Sequence, residues 1–324
     1  HVLGLADLGM VTAIDAPDIY WTTDFRRSYE ETAYFGEVAY DLSDSLTVAV
    51  SMRHFDAESY LDGFSGTVWW PCGGGPSAAA QEASGVYRPT NNYGADCADA
   101  NRITASKDEV YRVTAEWQAT DDVMIYTAWG EGYRPGGLNR FCSVGNEADY
   151  GGQGRDDATG AGCDFVPDFL TSYEVGVKAS LFDGRMVLNA AAFMQEWDDF
   201  QFSRLDVAIS PVTLTYNIGQ ATSDGFEADF SAMISENWSL TGGFSYIEAE
   251  LSEDYYASDG LATPTAASGT TLPRVPDTKW NLSSRYSMDD GWYMQTSYIY
   301  TGASYNNLFD GGSLPTKRYK QKDY

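Results

Sequence analysis

The sequence predicts an all-β protein, a transmembrane antiparallel β-barrel wall, from three observations. Five short polar turns join alternating segments: Asp41-Leu-Ser-Asp-Ser45, Thr120-Asp-Asp122, Asp183-Gly-Arg185, Ser235-Glu-Asn237 and Asp289-Asp-Gly291. Asp, Asn, Ser and Gly suit such turns because they tolerate unusual backbone angles and bond locally. The opposite connections, about 56–109, 134–170, 204–215, 251–277 and 303–318, are long and irregular. Short turns at one end and long loops at the other mark an outer-membrane barrel, whereas loops of a soluble sandwich seldom segregate this way. Third, aromatic residues gather at two levels. Tyr40, Trp117, Phe182, Trp238, Tyr286 and Trp292 hug the short turns, and Phe55, Tyr133, Trp197, Tyr246 and Tyr300 lie further along the ascending strands. The separation of roughly 8–11 residues matches what a tilted strand needs to cross hydrocarbon.

Composition narrows the function classes. The 324 residues carry 20 Lys and Arg against 47 Asp and Glu, a net charge of -27. That balance excludes a nucleic-acid partner, whose phosphates it would repel. There are 23 Tyr, 15 Phe, 9 Trp and 32 Gly, and no uninterrupted apolar run fit for a transmembrane helix. Barrel strands alternate instead.

The elements follow in order. After the first turn, Leu46, Val48, Val50 and Met52 share a face opposite Thr47, Ser51 and Arg53. Before the third, Tyr173, Val175, Val177, Ala179 and Leu181 oppose Glu174, Lys178 and Ser180. Before the fifth, Trp280, Leu282 and Tyr286 oppose Asn281, Ser283 and Arg285. Lipid outside and water inside explain this alternation; a sandwich core would produce it too. About ten strands result, and Arg318–Tyr324 reads as the start of an eleventh. Residues 1–324 are taken as one partial barrel domain. With no initiator Met and no signal peptide at His1, the chain is expected to be an internal piece of a longer protein.

Four cysteines fall in two local pairs, Cys72/Cys97 and Cys142/Cys163, within stretches rich in Gly, Asp, Asn and Ala. With no C-x-x-C and only His1 and His54 as histidines, a zinc site is not expected. Two disulfides stapling long loops in an oxidising compartment are expected, neighbour pairing being the simplest of three connectivities.

Gly130-x-Gly132 has the outline of a dinucleotide fingerprint, but Pro135 stands where the third glycine belongs and no helical pattern follows. The stretch reads instead as a strand top, with Tyr133, Arg134, Asn139 and Arg140 candidates for facing a ligand vestibule. The pairs Asp121/Asp122, Asp156/Asp157, Asp198/Asp199 and Asp289/Asp290 are the turn and loop aspartates expected of an acidic chain. Serines lack a suitable histidine, so Ser-His catalysis is not expected, nor is a resident cofactor or metal site; with no D-x-[DN]-x-[DN]-G loop, calcium among the loop carboxylates stays the weaker alternative. Trp69 and Trp70, beside Cys72, either stack against a ligand or pack the loop's own small core.

Four segments also resemble the TonB-dependent receptors of Gram-negative outer membranes: Ala33–Leu46, Ala128–Asn139 (AWGEGYRPGGLN), Ser172–Arg185 (SYEVGVKASLFDGR) and Asn217–Asp229 (NIGQATSDGFEAD). The resemblance spans about 25–324. It implies part of a 22-stranded barrel around a plug domain not in this chain, with short periplasmic turns and long extracellular loops. It further implies no enzymatic activity and active uptake of a scarce nutrient, such as a ferric siderophore, cobalamin or an oligosaccharide. The implied partners are outer-membrane lipid, a small-molecule or oligomeric nutrient ligand, and the TonB energy-coupling complex, reached through the absent plug. Some members bind haem through a histidine near the aromatic-Arg-Pro segment; no histidine lies between Arg134 and Tyr324, which disfavours haem. A passive porin-like channel and a secreted β-rich carbohydrate-binding domain are the alternatives.

Overall fold

A computed structural model describes residues 21–67, 100–139, 164–204, 213–256, 262–308 and 320–321. In chain order the strands are β1 (Trp21–Ser43), β2 (Leu46–Thr67), β3 (Ala100–Thr120), β4 (Val123–Arg134), β5 (Gly137–Leu138), β6 (Asp164–Phe165), β7 (Asp168–Leu181), β8 (Met186–Asp198), β9 (Gln201–Arg204), β10 (Leu214–Asn217), β11 (Ala221–Ser235), β12 (Trp238–Leu251), β13 (Thr278–Ser287), β14 (Tyr293–Thr301), β15 (Ser304–Tyr305) and β16 (Lys320–Gln321). Ten of them form one antiparallel sheet in the order β1-β2-β3-β4-β7-β8-β11-β12-β13-β14. Every sheet neighbour is the next long strand in sequence, as a meander with tight turns requires. Among the described residues the sheet does not close, so β1 and β14 are its edges.

The five short turns fall where the sequence places them, and three carry a register shift, at Asp41/Ser43, Gln118/Thr120 and Met233/Ser235. In the turn after β7, Phe182, Asp183 and Gly184 take φ of 57°, 55° and 79° in succession. Glycine at the third of these avoids the Cβ clash that makes left-handed backbone costly.

Register assigns the faces. Met52 pairs with Tyr111, Val50 with Val113 and Leu46 with Trp117; Trp129 pairs with Tyr173, Thr127 with Val175 and Ile125 with Val177. Phe244 faces Trp280, and Trp238 faces Tyr286. This apolar face has no covering layer: Val175 is 54% exposed. Two residues beyond the last large apolar side chain, the same face turns polar on strand after strand. Met52 gives way to His54, Tyr111 to Glu109, Trp129 to Glu131, Phe226 to Asp224 and Tyr246 to Glu248. His54 meets Glu109 at 2.9 Å and Lys107 meets Asp56 at 3.7 Å on that rim. A polarity step at one level across neighbouring strands is the edge of the hydrocarbon layer.

The opposite face is polar and concave. Arg112, Thr114, Glu116, Tyr126, Glu174 and Lys178 line a hollow of about 490 Å³. Tyr126 donates to Glu174 at 2.6 Å, and its ring lies over Gly176, its direct cross-strand partner, where any Cβ would sit 2.5 Å from the ring. Glycine there is a requirement of close approach.

Two expectations need correcting. Phe55 and Trp197 belong to the inner face: Phe55 is fully buried, and Trp197 packs against Phe200 at 5.9 Å between ring centroids. Both stand an odd number of residues from their strand's outward set, and period two decides the face. Tyr111, Trp129 and Tyr173 take the outer aromatic level beside Tyr246 and Tyr300. The connection expected at 56–109 is also largely strand, β2 running to Thr67 and β3 starting at Ala100. Above the lipid both faces are wet, so the ladder persists while the apolar period disappears.

An arginine at Val113, on the outer face between Tyr111 and Trp117, is expected to cost about 2–4 kcal/mol, whereas Thr114→Arg on the inner face should be near neutral. The fraction of protein assembled in outer membranes, read by heat-modifiable mobility, checks this; equal loss in both variants contradicts the face assignment.

Candidate functional site

On the long-loop side the strand tops bend into a packed layer. The stretch after Gly130 is its centre. The β3–β4 ladder ends at Arg112↔Gly130, while β4 stays paired with β7 to the rung Arg134↔Asp168. Pro135 then lacks an N–H to continue the ladder. Gly136 and Gly137 let the departing chain press onto Phe165: a Cβ at either would lie 2.6 Å from it, from its carbonyl oxygen and its ring respectively. Neither glycine has positive φ, so close approach, not an unusual turn, is what they supply.

Asp168 is the hub. It is 1% exposed and receives the Arg134 Nε at 3.0 and 2.9 Å, the terminal guanidinium nitrogen, and the Gln201 backbone N–H at 3.0 Å. A fork of guanidinium donors on one carboxylate is a strong, directional pair. Arg134 also donates to the Gln201 carbonyl at 3.1 Å and lies 5.4 Å from the Phe200 ring centroid. The Gln201 amide donates back to Pro135 O at 3.1 Å and Val166 O at 2.9 Å. Asn217 accepts from Val166 N at 2.9 Å and donates to Val166 O and Asp199 O at 3.0 and 2.6 Å. Asn139, 5% exposed, makes a reciprocal pair with the Thr215 backbone, 2.8 Å each way. The β5–β6 and β9–β10 pairs complete this clasp.

A hydrophobic cluster accompanies it: Leu214, Tyr216, Ile218, Ala221, Ala249, Leu251, Tyr255, Ala266, Leu272 and Leu308. Strand tops and the connections between them therefore share a core of the soluble kind.

Tyr133 makes a second tie. Its ring stacks on Phe55, centroids 3.6 Å apart and planes within 4°, and its hydroxyl donates to Glu31 at 3.0 Å. Glu31 also pairs with Arg53. Tyr133 thus joins β4 to the inner faces of β1 and β2, not to the outer aromatic level. Between the clasp and β1–β2 lies a cavity of about 560 Å³, walled by Tyr29, Tyr60 and Leu61 on one side and by Arg134, Leu138 and Phe165 on the other. Arg134 keeps half of its side chain exposed there.

Of the residues singled out from sequence, Tyr133, Arg134 and Asn139 come together in this layer. Trp69, Trp70, Arg140, Cys72, Cys97, Cys142 and Cys163 lie outside the described residues. Sequence reasoning missed Asp168, Gln201 and the use of Asn217. The N-x-G of Asn217-Ile-Gly219 was a visible signal, and Gly219, at φ 89°, is where the chain turns after the Asn217 bonds.

Asp199 sits at the edge of the clasp at φ 54°. Desolvation by the surrounding chain raises its carboxyl pKa, and the like charges of Asp198 and Asp168 add to it. A raised folded-state value means the favourable contribution is complete below the unfolded pKa and is lost as pH rises through the folded one. Asp199→Asn, which tolerates the same φ, is therefore expected to slow amide exchange around Gln201 at neutral pH and to leave it unchanged at pH 3, measured by hydrogen exchange.

The comparisons agree with this architecture. Residues 6–324 match the family model for the TonB dependent receptor-like β-barrel. The probable TonB-dependent siderophore receptor PiuA of Acinetobacter baumannii is 23% identical over 208 residues, 64% of this chain and 26% of that protein. The metal-pseudopaline receptor CntO of Pseudomonas aeruginosa is 28% identical over 181 residues, 56% of this chain and 21% of that one. The ferric yersiniabactin uptake receptor FyuA of Yersinia pestis superposes with a TM-score of 0.64 at 17% identity, over 92% of this chain and 37% of that one, a likeness of fold. The chain spans about a quarter of the length of the curated relatives it matches. With a matching family model over nearly its whole length, the chain belongs to the TonB-dependent receptors, β-barrel proteins of the Gram-negative outer membrane.

Proposed function

We propose that this chain is the central wall and ligand-side rim of a receptor for a chelated metal, of the ferric-siderophore class, rather than for cobalamin or an oligosaccharide. The reading rests chiefly on one observation: a pre-built cavity of about 560 Å³ on the loop side, walled by Tyr29, Phe165 and the exposed half of Arg134. Aromatic and guanidinium groups suit a compact chelate with planar, oxygen-rich arms. The relatives named for siderophores and metals support the same class.

In this reading the long loops face the medium and the short turns the periplasm, and Trp69, Trp70 and Arg140 contribute contacts from the loops. Arg134 presents its outer half to the ligand while Asp168 holds the inner half; Asn139 acts through Thr215. The cysteine pairs staple those loops. Transport is driven by the TonB energy-coupling complex through a plug carried elsewhere in the receptor. The chain supplies binding and passage, not covalent chemistry.

Uptake of 55Fe bound to chelators from iron-limited culture medium, in cells with and without the full-length gene, tests this. Loss of uptake on deletion is expected, and Tyr29→Ala should raise the half-saturating concentration several-fold at unchanged receptor level. Undiminished iron uptake together with loss of growth on a polysaccharide would overturn it.

A further inference from the structure

We infer that residues 134–139, 164–168, 199–204 and 213–217 form one mechanical unit, closed by Asp168 as a positioning residue. This holds whatever ligand the receptor carries. Three backbone amides in the unit are held by side chains from a different segment: Gln201 N by Asp168, Val166 N by Asn217 and Thr215 N by Asn139. The links form a closed circuit. The 134–139 segment is fixed at one end by Arg134 on Asp168 and at the other by Asn139 on Thr215, and Thr215 returns to Gln201 through the β9–β10 pair. Between those ends Gly136 and Gly137 lie against Phe165 with no room for a methyl group. Segments tied at both ends and packed without slack open together rather than one by one.

Asp168 is too deeply buried to touch any ligand. Its effect on the rim runs through Arg134, the one residue of the pair with an exposed face. The wall of the cavity is then set before a ligand arrives, which lowers the ordering cost of binding. The same unit anchors both ends of the 140–163 connection, through β5 and β6.

Hydrogen exchange on the full-length receptor in detergent, resolved by mass spectrometry, tests the unit without a ligand. In Asp168→Asn, exchange at Gln201, Val166 and Thr215 should rise together by at least about tenfold, as expected from losing a charged hydrogen bond in a buried site. The amides of Ile125–Ala128 in the membrane ladder should not change. Asn139→Ala, altered at the far end of the circuit, should accelerate the same three amides. Arg134→Lys keeps the charge without the fork and should give an intermediate rise. If Asp168→Asn affects Gln201 alone and Asn139→Ala affects Thr215 alone, the contacts are independent and the unit does not exist. Should Asp168→Asn fail to assemble, the response of Gln201 in Asn139→Ala decides.

Discussion

Everything in this wall follows from one constraint: a backbone amide or carbonyl that enters hydrocarbon must find its partner in the protein, because no water is there to supply one. An antiparallel meander meets that demand, each strand between the two edges pairing with the long strands before and after it. Once the ladder is imposed, side chains alternate between lipid and lumen with period two. The polarity of each position is then a question of parity and height. Val113 and Thr114 are adjacent in sequence and live in different solvents.

The rule changes at the charged rim. Below it, the outer face carries Tyr, Trp, Val and Ile, and the inner face carries Arg, Glu, Lys and Thr. Above it, water reaches both faces, and the chain stabilises itself as a soluble protein does, through a buried apolar cluster and paired polar side chains. Leu214, Leu251 and Leu308 are far apart in sequence yet bury together. The receptor wall is thus two kinds of protein joined along strands that run without a break from one regime to the other.

That division explains what the sequence disclosed. The five turns, the strand pairing and the outer aromatics near Trp117, Trp238 and Trp280 were legible because lipid enforces a period that one chain displays by itself. Phe55 and Trp197 stand at the height of the outer aromatics but on the inner face, a difference that parity along the strand decides and height does not. The upper halves of β2 and β3 were hidden because wet strands have no apolar period. The clasp was only partly legible. Arg134 and Asn139 stood out as polar residues in a glycine-rich strand top, but Asp168, 34 residues on, looks like any other aspartate in an acidic chain. Its role comes from being the opposite member of the last β4–β7 rung, a fact of register that no local pattern records.

Arg134 and Asp168 also show why such a pair occupies this place. Taking a carboxylate out of water costs several kcal/mol, and the attraction of its partner often does no more than offset that, so an apolar pair would serve stability as well. An apolar pair would not select a geometry. A buried carboxylate accepts only the arrangement that brings donors to it, here one guanidinium fork and one backbone N–H from another connection. In a layer of loops with little regular structure, alternative packings differ by small energies, and a misplaced partner would leave a buried charge unpaired. The penalty for the wrong arrangement, more than the gain from the right one, fixes how the loops meet above the membrane.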